Sequence, residues 1–577
     1  MSLLEKIDSP ESGEIEPGKR LIRVGGASLG EQLSSMLHRL SWRTPFHALR
    51  LRGRHPLRLL AIPKDPVAGD KTAGEAILHG RFVRRGESFP IEGLSFGDRA
   101  LPADVSDYLH SFEWLRDLAA AATRERAAKL AEKLVQKWLA EQAEAVTEPA
   151  WRADLWGRRI LFWTAYAPYI LSSRDSAYRA LLLNTLSRGA RHLDKAAEKA
   201  RPGLARITAW AGLVAAALLL QGGPGRLGRG EAGLLRALSA SLHDDGGLVS
   251  RSPDEQLRLI ELLAQLRASY FAADREMPEA VADALSGAVG ALLGVALGDE
   301  ALSSWQGGNM ASRRRLAAAV EGSGVRVRPL RQPRGWGYQR LDAKSTTALF
   351  DAAPPPPTRA FAGGCASTLA FELSEGVHRL VVNCGGPGSA TGALSADLVQ
   401  ALRSSAAHST LTLGDRNSTA VNEDGSLGKG VSQVELVRDE TGGAIMVEAS
   451  HDGYVRRFGL VHQRQLTLAP DGRELRGQDL LTAQGNRRRR AEPIPFAVRF
   501  HLHPDVEAAT TADGQGALLR VRGRTVWQFR CRGGRLGIED SLWIDGDARL
   551  RETSQLVVGG DSPPDGTAIA WIFRRAG

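Results

Sequence analysis

The apolar residues of this chain change their spacing once, and that change limits what it can fold into. Up to about Ser303 they recur every three to four residues. In "TRERAAKLAEKLVQKWLAEQ", Leu130, Leu134 and Trp138 fall on one face with Lys and Glu on the other. From near Val325 the pattern turns to short alternating runs such as "STLTLGD", "VSQVELVRD" and "TVWQFRC", punctuated by Gly, Asp and Asn. A 577-residue chain with one such switch has room for two or three domains. The expectation is a helical part followed by stacked antiparallel sheets.

The helical signal continues through "LWGRRILFWTAYAPYILSS", "SAYRALLLNTLSRGARHLDKAA", "GLARITAWAGLVAAALLLQ" and "PDEQLRLIELLAQLRASYFAA", a succession that suggests paired antiparallel helices. We read 1–105 as a basic N-terminal arm, 106–303 as the helical domain, 304–324 as a linker and 325–577 as the β domain. "DAAPPPPTRAFAGG" is a stiff loop, because consecutive prolines offer no backbone donors.

Several function classes drop out on composition and motif. The first forty residues lack a basic start followed by an uninterrupted apolar run, so no ordinary secretory signal is visible. "AWAGLVAAALLLQ" is too short to span a bilayer and reads as a buried helix, leaving no transmembrane segment. Cys365, Cys384 and Cys531 are too few for a disulfide framework, which points to a reducing cytoplasm; periplasmic or membrane-peripheral placement stays open. A net charge of +10 favours acidic partners. Neither "GGPG" nor "GGPGRLGRG" has the strand-loop-helix order of a phosphate cradle. The "RRRR" run from Arg487 to Arg490 comes without stacking aromatics or a reading motif, so sequence-specific nucleic-acid binding is not expected.

The richest stretch runs from Gly363 to Asp415. "GGCASTLAFELSEGVHRLVVNCGGPG" leads into "ALRSSAAHSTLTLGD", with "SHDGY" and "RFHLHP" downstream and "HSFEWLRDL" and "DDGGLVSRSPDEQLRLIELL" upstream. In this order the segments resemble the heparinase II/III-like family, polysaccharide lyases and relatives with an α/α toroid followed by antiparallel β-sheets. The resemblance covers most of the chain from about Leu109. It implies β-elimination on a uronate-containing acidic polysaccharide: a base takes the proton beside the sugar carboxylate, the developing charge is stabilised, and an acid assists the leaving oxygen.

Position by position the resemblance thins where the chemistry sits. Active members typically show His-x-His-x-Asp before the "LAFEL"-type strand, where this chain has Gly363, Gly364, Cys365, Ala366 and Ser367. The aspartate expected in the next strand is Asn383. The usual Asn-His pair falls near "RPGLARITAW", and the expected tyrosine near Glu255 or Gln256. His408 alone stays clearly matched. Three readings of it stand open. It could act as a catalytic or carboxylate-neutralising group beside Arg403 and Asn383, with Tyr454 from elsewhere. It could be a metal ligand, zinc for example, with Cys365 and Cys384. It could also be a structural residue.

Other residues have structural readings beside functional ones. Trp138, Trp163, Trp210 and Trp305 could stack on sugars but sit at core spacing. His501 and His503 share a strand face, and Glu372 reads as solvent-facing. Two functions follow: a carbon–oxygen lyase on an acidic glycan, or a degenerate relative that binds an anionic glycan or cell-envelope polymer without cleaving it.

Overall fold

The structure is a computed structural model that describes residue 51 and residues 58–576, apart from 85, 223, 359–360, 362, 387–393, 485–491 and 522–524. The Arg487–Arg490 run and most of the N-terminal arm therefore lie outside the described residues.

The helical part contains α1 (Lys71–Leu78), α2 (Ala103–Ser111), α3 (Trp114–Ala121), α4 (Arg124–Gln142), α5 (Ala153–Ala165), α6 (Ala167–Ile170) and α7 (Ser176–Ala196). It continues with α8 (Leu204–Leu219), α9 (Pro224–Ser239), α10 (Pro253–Ala272), α11 (Glu279–Gly294) and α12 (Arg313–Ser323). A short hairpin, β1 (Arg81–Arg84) and β2 (Glu87–Pro90), follows α1.

Helix α8 carries the "AWAGLVAAALLL" run. Every residue from Ile207 to Leu219 is buried, because α5, α7, α9 and α10 surround it. An all-round apolar helix has to lie inside the protein. Its approach to α5 is closest where Gly212 meets Gly157: a Cβ on Gly157 would lie 2.2 Å from the Thr208 carbonyl oxygen. Only glycines permit that separation.

The segment read as a linker, 304–324, instead holds α12. Ser312 caps it by accepting from the Arg315 backbone N–H, Gly324 ends it in the left-handed region, and Leu316 and Ala319 join the helical core.

The β domain has two antiparallel sheets. Its strands are β3 (Tyr338–Ala343), β4 (Thr346–Asp351), β5 (Phe371–Glu375), β6 (His378–Val382), β7 (Leu411–Leu413), β8 (Val434–Asp439), β9 (Ile445–His451) and β10 (Leu460–Leu468), then β11 (Glu474–Ala483), β12 (Ile494–Leu502), β13 (Val506–Thr510), β14 (Gly516–Val521), β15 (Val526–Arg532), β16 (Arg535–Ile544), β17 (Leu550–Ser562) and β18 (Gly566–Arg575). One sheet runs β13-β14-β15-β18-β11-β10-β9-β8 and the other β16-β17-β12-β6-β5-β4-β3, with β7 pairing β12. Strand β10 shows the expected alternation, every second residue buried. Strands β4 and β5 do not, because both their faces are covered. Ala348 and Phe350 enter the sandwich core, whereas Leu349 and Ala370 enter the helical core.

That second covered face explains Glu372. It is 3% exposed rather than solvent-facing, and it accepts from Ser303 Oγ and from Asn383 Nδ2 at the domain junction. Arg379 extends the junction, donating to Asp299 at 2.9 Å and to Ser303 at 2.8 Å. Among the described residues no helix is long and apolar enough to cross a membrane.

Candidate ligand-binding site

A cavity of about 470 Å³ with many charged residues in its lining lies in the helical domain. That volume suits a small saccharide. Helical spacing aims its side chains: Asp104, Asp107 and Tyr108 from α2, Asp154 and Arg158 from α5, and Glu255 and Arg258 from α10 are sets at i, i+3 or i+4. Arg84 enters from β1, Glu148 and Arg152 from the connection before α5, and Lys199 and Arg201 from the connection before α8.

Most of these charges are engaged. Arg152 donates to Asp107 through two nitrogens, at 2.9 and 3.1 Å, and also to Asp154. Arg158 donates to Glu113 at 3.0 Å. Behind the cavity Arg258 pairs with Asp254, and Arg315 reaches both Asp254 and Glu261. Burial would raise the Glu113 carboxyl, but Arg84, Arg158, Arg315 and Arg116 outweigh it and hold it well below the usual range. Burial pushes the Glu255 carboxyl up, against hydrogen bonding from Ser250 and the pull of Arg258. Asp107 is also raised by burial, which together with Asp154 outweighs Arg152. The Nε–H groups of Arg84 and Arg258 are buried without an acceptor among the described residues.

The lining is thus of mixed sign: six basic residues (Arg84, Arg152, Arg158, Lys199, Arg201, Arg258) and six acidic ones. Among the described residues it contains no histidine. Its tyrosine, Tyr108, donates to Asp117 at 2.7 Å and is held protonated by burial and by that carboxylate.

The sequence-derived candidates lie elsewhere, in the β domain. His408 is 2% exposed and its Nδ1 lies 2.7 Å from the Ser404 carbonyl oxygen; burial lowers its pKa. Asn383 accepts from the Ser409 backbone N–H at 2.9 Å and donates to Glu372. Arg403 donates to the carbonyl oxygens of Gly364 and Gly425. Tyr454 donates to the Leu411 carbonyl oxygen at 2.9 Å, behind β7. His408 and Asn383 are joined through Ser409, and Arg403 braces the same loop, yet none of the four lines the cavity.

The metal set fares likewise. Cys365 faces the Gly363 carbonyl oxygen, and Cys384 lies 3.5 Å from His501 Nδ1 beside Ser541. Burial pushes both thiols up to about 12. Among the described residues no group of three or more His, Cys, Asp or Glu is placed to hold a metal ion. The residues proposed for zinc therefore do not fit one.

The other histidines and tryptophans are likewise held by internal contacts. His501 is fixed between Ser541 Oγ at 2.8 Å and the Ala406 carbonyl oxygen at 2.9 Å, and His503 packs edge-on to Trp543. His451 faces His462, whose Nε2 lies 2.8 Å from Asp479, itself held by Arg464 and Trp571. Trp138, Trp163, Trp210 and Trp305 are core residues. The loop at Trp305–Gly307 seats against the Gly363–Cys365 stretch. Gly307 has φ +66°, and a Cβ there would lie 2.3 Å from the Gly363 carbonyl oxygen.

The sequence reading puts the site at His408, Arg403, Asn383 and Tyr454 and not at this cavity. The positions where it expects an Asn-His pair and a tyrosine do face this space, as Arg201, Pro202, Leu204, Ala205, Thr208 and Glu255. Arg152, Asp107, Arg158 and Arg258 went unrecognised. Their only sequence signal was charge within helical runs, in "ADVSDYLHS", "WRADLWGRR" and "PDEQLRL".

A helical domain joined to a doubly covered antiparallel sandwich is the architecture of toroid polysaccharide lyases. Heparinase III superposes with a TM-score of 0.67 at 13% identity, over 96% of this chain and 92% of that one. Heparan sulfate lyase HepC from Pedobacter heparinus gives 0.56 at 14% identity, over 94% and 88%. The model of the heparinase II/III-like C-terminal region matches residues 325–572. FtsZ-localized protein C of Caulobacter vibrioides (strain NA1000 / CB15N) is 30% identical over 556 residues, 92% of each chain. The chain belongs to the heparinase II/III-like family.

Proposed function

We propose that this protein binds an anionic glycan or cell-envelope polymer in the helical-domain cavity and does not cleave it by β-elimination. The carrying observation is the lining itself: cations capable of gripping a carboxylate are present, but among the described residues that line it there is no imidazole, and the one tyrosine is locked to Asp117. Elimination needs a base whose pKa lies near the working pH, within reach of the proton it removes. His408, the imidazole matched by family resemblance, is closed off in the β domain. A guanidinium is fully protonated and serves as a carboxylate clamp rather than a base.

The test incubates the full chain with uronate polymers, following ultraviolet absorbance of unsaturated ends and, separately, binding by calorimetry. Binding without unsaturated product supports the reading. Unsaturated product that persists after purification to homogeneity and disappears in Arg258→Ala would sink it.

The likeness to FtsZ-localized protein C supports a second, compatible reading, that the chain associates with FtsZ-based division assemblies. Co-sedimentation with purified FtsZ polymers tests it; a chain that stays in the supernatant at all polymer concentrations counts against it.

A further inference from the structure

Every described residue that lines the cavity lies between Arg84 and Arg258, so the β domain contributes none. A packed wall separates the two. Arg258, in the lining, pairs with Asp254 at 3.1 Å, and the same carboxylate accepts from Asn309 Nδ2 at 3.1 Å. Behind that carboxylate runs the backbone of Gly307 and Gly308. A Cβ on Gly308 would lie 2.5 Å from Ser252 Oγ and 3.3 Å from Asp254 Cβ, and one on Gly386 would lie 2.6 Å from the Gly308 carbonyl oxygen. Gln306 fixes this loop to the β domain, donating to Ser367 Oγ at 2.8 Å and accepting from the Cys365 backbone N–H at 2.9 Å. Where a methyl group finds no room, a sugar ring cannot pass.

The lining reaches solvent elsewhere. Glu148, Lys199 and Arg201 are exposed, on the connections before α5 and α8, whereas Asp104, Tyr108 and Thr208 are buried. An internal segment of a polymer has to enter a site and leave it again, so it needs a way out beyond the site. Toward the β domain this cavity offers packed backbone instead.

We propose that the cavity takes the terminus of an anionic glycan chain and not an internal segment of it. This rests on the reading of the cavity as a glycan site and adds which part of the chain it holds. The Arg258–Asp254 pair, backed by the Gly307–Gly308 loop, is where the chain stops.

The test uses the full chain and hyaluronan, a polymer of alternating glucuronate and N-acetylglucosamine, as tetrasaccharide, octasaccharide and long polymer in calorimetry. Affinity per sugar chain is expected to agree across the lengths within about threefold, with one protein bound per sugar chain at saturation, because each offers one matching terminus whatever its length. A number of bound proteins that rises with length overturns the proposal and leaves the anionic-glycan reading standing. No binding at any length overturns both. Ala205→Trp brings an indole into the cavity from the first turn of α8, where Ala205 is half-buried in the lining, and should abolish binding of all three lengths. A variant with the parental melting temperature that still binds the polymer overturns the proposal, because the polymer is then held outside the cavity. The length series needs no variant, so it stands even if that substitution perturbs folding.

Discussion

Arg251 of the helical domain and Asp351 of the β domain form an ion pair at the junction, with side chains 3% and 0% exposed. Arg251 also donates to the carbonyl oxygens of Trp336 and Pro354, while Asp351 accepts from Ser367 at 2.7 Å. Tyr338 returns a hydrogen bond to the Arg251 carbonyl oxygen. The two domains are therefore joined by a desolvated polar network and not by apolar contact alone. Removing one partner of a buried pair strands the other, which costs about 3–5 kcal/mol. Asp351→Asn keeps the shape and loses the charge. It is expected to lower the first thermal transition by several degrees and to separate unfolding of the two domains in calorimetry. A single transition at the parental temperature would contradict this.

Replacing His408 separates structure from chemistry. Its Nδ1 is held to the Ser404 carbonyl oxygen, and its ring lies near His501. His408→Ala is expected to cost about 1–3 kcal/mol of stability through the lost hydrogen bond and the space left behind. Saccharide affinity at the cavity should stay unchanged. Thermal melts and calorimetry on the same preparation check both halves, and loss of affinity in a folded variant would return His408 to the site.

How much of this was legible in the sequence follows from which contacts are local. Of the stripe Leu130, Leu134 and Trp138, the last two are buried and Leu130 is half-buried against the core, while the alternation of β10 is observed residue by residue. Helix α12 was missed because "SRRRLAAAVEGSG" opens on three arginines that hide a short apolar face. Glu372 was misplaced because alternation assumes one wet face, and β5 has none. His408 looked catalytic because family order gives a residue's place in the chain but not what covers it. The Arg152–Asp107 pair spans 45 residues and no periodicity announces it.

Acid should loosen this fold through its buried imidazoles. Burial lowers His110 and His501 to about 3 from 6.5, and geometry agrees: Trp138 Nε1–H donates to His110 Nδ1 at 3.0 Å, which requires a bare nitrogen. Between pH 6.5 and about 3 the unfolded chain binds a proton at each ring that the native state refuses. Stability therefore rises with pH across that window and falls as pH drops through it. Each ring contributes at most about 1.4 kcal/mol per pH unit. His110→Gln is expected to be less stable at neutral pH but to lose stability less steeply on acidification, as read from melts between pH 7 and pH 4. A slope equal to the parent's would remove His110 from the account.

Glu255 gives the opposite sign. Its carboxyl is raised by burial in the cavity wall, so the native state holds a proton that the unfolded chain releases as pH rises above the ordinary carboxylate value. That contribution makes stability fall with pH over the window just above the unfolded pKa. A side chain kept at such a position costs the fold something at neutral pH, as polar groups reserved for a ligand often do. Glu255→Gln preserves shape and hydrogen-bonding capacity without the ionisation. It is therefore expected to raise the melting temperature at pH 8 relative to the parent, with the difference shrinking towards pH 4. If the same variant also shifts the pH dependence of saccharide binding, Glu255 faces the ligand. If binding keeps the parental pH profile while stability rises, the carboxyl lies in the wall without touching what the cavity holds.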